Sequence, residues 1–173
     1  MRALRIESFW VLFFPLSCIW AVITKLRRKY YPGLLSYKSN LKIVCIGNIH
    51  SGGSGKTPLV KAVTQHFLSK KRVVVLSRGY GAELSNQGAE IDPNSLKGSS
   101  LFGDEPWMLS QALKTPVFIS RDRAKGVKVI EKKYPDSLVV LDDGFQHLAL
   151  IRSLDIVCIN PSKKLTKNEM IKK

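Results

Sequence analysis

Acidic residues are scarce in this chain of 173 residues: 13 Asp and Glu stand against 28 Lys and Arg, for a formal charge of +15. The imbalance predicts an anionic partner such as a nucleotide, an anionic membrane or a nucleic acid, without choosing among them. Cysteine is scarcer still. Cys18, Cys45 and Cys158 lie far apart inside apolar runs, with no CxxC and no partnering His spacing, which excludes a disulfide framework and a zinc site. They read as buried small hydrophobes of a reducing compartment. The chain has no internal repeat, and no apolar run reaches the roughly 20 residues that a membrane-spanning helix needs. It does not lack core material: 45% of the residues are hydrophobic, enough for one ordinary domain and too much for global disorder.

The longest apolar run, FWVLFFPLSCIWAVI at residues 9–23, is flanked by Arg2 and Arg5 before it and by Lys25, Arg27, Arg28 and Lys29 after it. Cations at both ends favour neither for export, and a signal peptide would want a small-residue cleavage site with no basic cluster behind it. Trp10, Trp20, Tyr30 and Tyr31 suit the headgroup zone. The run therefore predicts an N-terminal membrane-interface helix; a signal or true span, and a helix packed on the domain, are the alternatives. Three regions follow: a membrane-associating segment over 1–35, a nucleotide-binding domain over 36–160, and a lysine-rich tail over 161–173.

Behind the tail-side break at Pro32-Gly33 and a short linker to Asn40, near-continuous apolar strands are expected at 41–47, 73–77, 116–120, 138–142 and 154–160. Helices are expected at about 58–70, 106–113 and 123–133, and residues 82–100 read as a long irregular segment. Apolar strands alternating with helices predict an α/β fold of P-loop type, a mostly parallel sheet with helices on both faces.

Residues 47–57 read GNIHSGGSGKT directly after the first strand. A buried strand, a Gly-rich turn, Lys-Thr and then a helix make a cradle for nucleotide phosphates, with backbone N–H groups and a helix N-terminus facing the anion. His50 stands where the usual first Gly of GxxxxGK[ST] would be, but Gly52, Gly53 and Gly55 keep the turn flexible, and His50, Ser51, Gly52, Gly53, Ser54, Gly55, Lys56 and Thr57 make up the expected cradle. Pro58 suits a first helical turn. The bland alternative is a Gly/Ser-rich surface loop. A second requirement is met by LVVLDD at 138–143, a buried strand that delivers Asp142 and Asp143 to the edge where α/β sheets bind ligands, suited to Mg²⁺ held with Thr57. A turn after a strand is the plainer reading of Asp-Asp-Gly taken alone.

Other chemistry-bearing residues fall at the same sheet edge. Arg78 follows the second strand in RGYG, either as a solvated turn residue or as part of the site. In GDEP, Asp104 beside Glu105 reads equally as a helix N-cap or as a base for a substrate hydroxyl. Arg121 and Arg123 could grip phosphate oxygens or lie in a solvated loop. His147, in DGFQH, is a lone His close to the expected metal strand.

Taken in order, GNIHSGGSGKTP, SRGYG, GDEP, ISRDR, LDDGFQH and LDIVCIN resemble the tetraacyldisaccharide 4′-kinase family, the lipid A 4′-kinases of Gram-negative bacteria. The resemblance covers nearly all of the chain to about residue 160. It implies ATP- and Mg²⁺-dependent phosphorylation of the 4′-hydroxyl of a lipid A disaccharide 1-phosphate, at the cytoplasmic face of the inner membrane, by a peripheral or monotopic enzyme. It further implies that Lys56 contacts the β- and γ-phosphates, Thr57, Asp142 and Asp143 serve Mg²⁺, Asp104 is the base, and Arg78, Glu105, Arg121 and His147 line the substrate site. The family's P-loop also lacks the first Gly. Two departures stand out. Leu148 replaces a commonly basic residue, and family members continue into a C-terminal half that supplies a His to assist the base, so the resemblance extends to the N-terminal half only; a fragment, a truncated reading frame, and one half of a split protein whose C-terminal half is supplied in trans are the readings left open.

Two rival classes are an inert nucleotide- or membrane-binding remnant and a P-loop ATPase switch acting on membrane or DNA. The second is disfavoured, and nucleic acid with it, because Ser51 stands where the KGGxGKT pattern has Lys.

Overall fold

The computed structural model describes residues 36–48 and 55–159, together with Cys18, Val22, Ile23, Lys25 and Leu26, which are helical and exposed. The rest of the expected membrane-interface helix, positions 49–54 of the expected cradle and the tail lie outside the described residues. Among the described residues no helix is long and apolar enough to cross a membrane.

In chain order the elements are β1 (Lys42–Asn48), α1 (Lys56–Leu68), β2 (Val73–Ser77), a 3₁₀ turn (Glu83–Ser85), β3 (Ala89–Glu90), α2 (Gly98–Phe102), α3 (Asp104–Ala112), β4 (Val117–Ile119), α4 (Arg123–Lys133), β5 (Leu138–Asp142) and β6 (Leu154–Cys158). They form one six-stranded sheet in the order β3-β4-β2-β5-β1-β6. All described pairings are parallel except β3 with β4. The expected α/β sheet is thus observed.

The strand sequences explain this layering. VVVLS and LVVLD are buried at every position, as strands covered on both faces must be. Alternate residues serve opposite faces. Val44, Ile46, Val73, Val75 and Val140 meet Val60 of α1 and Leu109 of α3, while Ile43, Cys45, Val74, Leu76 and Val139 meet Val127 and Ile130 of α4.

The boundaries move where local chemistry overrides hydrophobic pattern. Helix α1 starts at Lys56, so Pro58 is its third residue, where its missing N–H is one that no helix bond would have used. The segment 82–100 is not structureless: it holds the 3₁₀ turn, β3 and the start of α2, and Glu90 of β3 is fixed by Lys133 and by the Tyr134 hydroxyl at 2.8 Å. Strand β6 ends at Cys158 and is mostly exposed, because only β1 flanks it. Of the cysteines, Cys45 alone is buried; Cys158 is half-buried and Cys18 exposed.

The linker before β1 is also tied down. Tyr37 forms an isolated parallel bridge with Leu150, donating its N–H to Ala149 O (2.8 Å) and accepting from Ile151 N–H (2.9 Å). Its hydroxyl and the Asn40 N–H (2.9 Å) both donate to Glu131 on α4.

Candidate active site

The carboxyl ends of β1, β2 and β5 bring the chemistry together. Gly55, just before α1, has φ +74°, a left-handed conformation that glycine adopts without steric cost. Among the described residues no side chain caps α1, and a helix N-terminus of this kind suits an anion. Lys56 extends its Nζ to 2.9 Å from Asp143 Oδ1. Thr57 donates its hydroxyl to Glu105 Oε1, which belongs to the first turn of α3.

The two aspartates at the end of β5 differ in environment. Asp142 is 3% exposed; its Oδ2 accepts from Ser77 Oγ at 3.2 Å, and its buried Oδ1 has no hydrogen-bond partner among the described residues. Burial first, and then the negative charge of Glu105, push its pKa up to about 6, against the opposing pull of Ser77 and Lys56. Asp143 is exposed and sits at φ +54°, an uncommon conformation for a residue with a side chain. It is held there from both sides, its N–H donating to Ile46 O (2.9 Å) and its carbonyl accepting from Arg123 Nη2 (3.3 Å). Strained backbone fixed in this way is a recurrent property of functional sites.

An orphaned buried carboxylate oxygen, beside a second carboxylate and a threonine hydroxyl, fits a hard dication. Among the described residues no three His, Cys, Asp or Glu side chains are arranged to hold a metal by themselves. Mg²⁺ does not require that, since it is usually bound through one or two carboxylates, water and substrate phosphates. Thr57, Asp142 and Asp143, with Glu105 adjoining, are the residues that would hold it, and its charge would lower the cost of keeping Asp142 ionised.

Asp104 is not the helix cap. Gly103 holds that position at φ +88°, ψ 149°, a region essentially restricted to glycine, and no side chain caps the helix. Asp104 is the first helical residue, exposed, and its Oδ1 accepts from the Ser99 hydroxyl. It borders a cavity of about 610 Å³ lined also by Leu96, Lys97, Gly98, Ser99, Ser100 and Trp107.

The basic residues divide. Arg78 is exposed and makes no hydrogen bond or ion pair among the described residues, and its charge reaches Arg123. Arg121 is exposed, its Nη1 3.5 Å from Asn86 Oδ1. Arg123, expected to grip phosphate, is 3% exposed and spends its guanidinium on the carbonyls of Ser120 (3.0 Å), Arg121 (3.2 Å) and Asp143. Burial first and Arg78 second lower its pKa to about 10. It is a strut under the Asp143 turn. His147 is half-buried with Nε2 3.6 Å from Asp122 Oδ1, an ion-pair separation rather than a hydrogen bond. Burial, then the charge of Arg123, hold its pKa below the usual histidine value. Its described contact is with Asp122, the cap of α4, and not with Asp142 or Asp143. The links of Ser77 to Asp142 and of Glu105 to Thr57 carried no sequence signal, since they join positions 65 and 48 residues apart.

A family model described as Tetraacyldisaccharide-1-P 4′-kinase matches residues 9–171. Over 150 residues the chain is 39% identical to the Tetraacyldisaccharide 4′-kinase of Francisella tularensis subsp. novicida strain U112, covering 84% of this chain and 46% of that relative. The enzyme of the same name from F. tularensis subsp. tularensis strain WY96-3418 matches to the same extent. The crystal structure of LpxK from Aquifex aeolicus in complex with ATP superposes with a TM-score of 0.72 at 30% identity, covering 93% of this chain and 56% of that one. The chain therefore spans about half the length of the curated relatives it matches.

Proposed function

The chain belongs to the tetraacyldisaccharide-1-P 4′-kinase family, and from that membership and the site geometry we propose that it transfers the γ-phosphoryl group of ATP to the 4′-hydroxyl of a lipid A disaccharide 1-phosphate. The observation that carries this reading is that the Lys56–Asp143 pair and the Thr57–Glu105 bond gather at one sheet edge around Asp142, whose Oδ1 has no partner among the described residues. That set matches the two needs of a triphosphate, a fixed cation and a dication site. A bound Mg²⁺ would supply charge neutralisation between the phosphate oxygens.

The protein's own residues have distinct tasks in this scheme. The Lys56 ammonium is paired with Asp143. Triphosphate oxygens take the place of that carboxylate, so nucleotide binding exchanges one anionic partner of Lys56 for another and frees Asp143. The helix N-terminus behind Gly55 faces the phosphates. Asp104 exchanges the Ser99 hydroxyl for the acceptor hydroxyl. As the acceptor oxygen bonds to the γ-phosphorus, its proton passes to the Asp104 carboxylate, the bond from the γ-phosphorus to the bridging oxygen breaks, and ADP leaves with that electron pair. Arg78, exposed beside this edge, and Arg121, also exposed and held among the described residues only by a long side-chain contact to Asn86, are the side chains offered to phosphate oxygens. Peripheral attachment to the anionic cytoplasmic face of the inner membrane, through the N-terminal segment, is part of the same reading and agrees with a charge of +15.

A second reading is a nucleotide held without turnover. One experiment separates the two: labelled ATP, Mg²⁺ and a lipid A disaccharide precursor, with and without the C-terminal half of a relative. Turnover in either arm supports the kinase, and Mg-ATP binding with no turnover in both supports the inert holder. Lys56→Ala should weaken Mg-ATP binding by about tenfold or more, the loss of roughly 1.4 kcal/mol. Asp143→Ala should abolish the Mg²⁺ dependence of binding. Unchanged Mg-ATP binding in both variants would remove the phosphate-cradle reading.

A further inference from the structure

Arg152, two residues ahead of β6, is a second guanidinium spent on the turn after β5. Its Nη1 donates to Gly144 O at 3.1 Å and to His147 O at 3.2 Å, beside the bond from His147 N–H to Gly144 O at 3.0 Å. Its other edge faces Asp155 on β6, with Nη2 donating to Oδ2 at 3.2 Å and Nε 2.8 Å from Oδ1. The side chain is 15% exposed, although most of its neighbours in sequence are open to solvent. A planar fork that meets a carboxylate along one edge has its plane fixed, so the opposite edge reaches the carbonyls in one orientation.

The turn is thereby gripped from two sides. Arg123 of α4 reaches the Asp143 carbonyl, and Arg152 reaches the carbonyls of Gly144 and His147. Beneath them the Gly144 backbone lies against the sheet: a Cβ there would fall 2.2 Å from Leu141 Cδ2 and 2.9 Å from Cys45 Sγ. Asp155 is the register partner of Cys45, which puts its carboxylate on the face of the sheet that Cys45 and the turn share. Edge strand β6 is thus tied to the residues around Asp143. The φ of +54° at Asp143 needs such outside support, and its carboxylate meets Lys56 only while the turn holds that shape. Among the described residues Arg152 itself bonds to none of Lys56, Thr57, Asp142 and Asp143.

Resting on the Mg-nucleotide reading above, we infer that Arg152 is a positioning residue for that site: oriented by Asp155, it sets the backbone of the 143–147 turn and so the place at which the Asp143 carboxylate meets the metal or Lys56. Groups that orient a metal's ligands in this way typically govern affinity by tenfold or more.

The test is calorimetric titration of the full chain with ATP, once with Mg²⁺ and once with EDTA. The ratio of the two affinities reads the metal site, whereas a change that only loosened the fold would lower both alike. Arg152→Gln should weaken Mg-ATP binding by about tenfold or more. Metal-free ATP should bind that variant as tightly as the parent or tighter, because a displaced Asp143 competes less for Lys56. Arg152→Lys keeps the charge but loses the fork, so it should follow Arg152→Gln and not the parent. Asp155→Asn leaves the bonds from Arg152 to the turn but frees its plane, and should lower the ratio by a smaller factor. Far-UV circular dichroism checks that each variant is folded; if Arg152→Gln is not, Arg152→Lys and Asp155→Asn decide. An unchanged ratio in the folded variants, or an equal loss with and without Mg²⁺, overturns the positioning role and leaves the nucleotide site standing. A parent that binds ATP no better with Mg²⁺ than without it overturns the metal site and the role of Arg152 with it.

Discussion

Asp142 carries the sharpest consequence at the scale of single residues. Its pKa is raised from 3.8 to about 6 by burial, so the folded state holds a proton that the unfolded chain has already released. The sign follows directly: metal-free stability is full below about pH 4 and falls as the pH rises through about 6, by about 3 kcal/mol for this group. Thermal melts across that range should show the decline in the parent and a flatter profile in Asp142→Asn, and Mg²⁺ should restore the parent more at pH 7 than at pH 5. Identical profiles for parent and variant would take Asp142 out of the account. Asp104 behaves differently because it caps nothing and is exposed. Asp104→Asn should leave urea stability within about 1 kcal/mol of the parent, as surface changes do, yet lower turnover in the complemented assay by roughly a hundredfold or more if the side chain is the base. Full turnover would remove it from the mechanism. That Lys56, Thr57, Asp142 and Asp143 would lie at one sheet edge was legible, because each follows directly on an apolar strand or its turn. Arg123 was misread because a buried guanidinium and a solvated one are spelled alike, and only the carbonyls around it tell them apart.

Among the elements, β1 and the turn after β5 depend on one close approach. A Cβ at Gly47, the sixth residue of β1, would fall 2.2 Å from the Phe145 ring, so Gly47→Ala must displace a side chain packed on the α4 face of the sheet. An overpacking loss of about 1–3 kcal/mol is expected, read as a lower urea midpoint with unchanged slope. The double variant Gly47→Ala, Phe145→Leu should recover part of it, and no change in the single variant would contradict the packing described. Strands β2 and β5 and helix α4 were readable to the residue from apolar runs and their breakers. β3 was not, since two residues carry no period and their pairing depends on Phe118 and Ile119 of a distant segment. Nor was the exposure of β6, because an edge position is a property of sheet order and not of the strand's own sequence.

For the whole molecule, the charge of +15 and the apolar run at residues 9–23 lead to one expectation. Removing residues 1–30 should release the protein from anionic vesicles, and high salt alone should release the intact chain only in part, since screening weakens ionic attraction but not apolar burial. Continued sedimentation of the shortened chain with vesicles would point to another membrane-binding surface.

The Tyr37–Leu150 bridge then becomes a question of mechanics. A pull on the polypeptide upstream of Ser36 meets, among other ties, the Ser36 hydroxyl bond to Leu148 O (2.9 Å), two backbone bonds to the 149–151 loop and the tie to Glu131. These fasteners lie ahead of Lys42, so they bear the load before the ladders of β1 do. An optical trap pulling from the N-terminus should record a small release at low force and then the rupture of the sheet. Slack of that kind would let the upstream segment move while the Lys56–Asp143 pair, beyond the opposite end of β1, keeps its geometry.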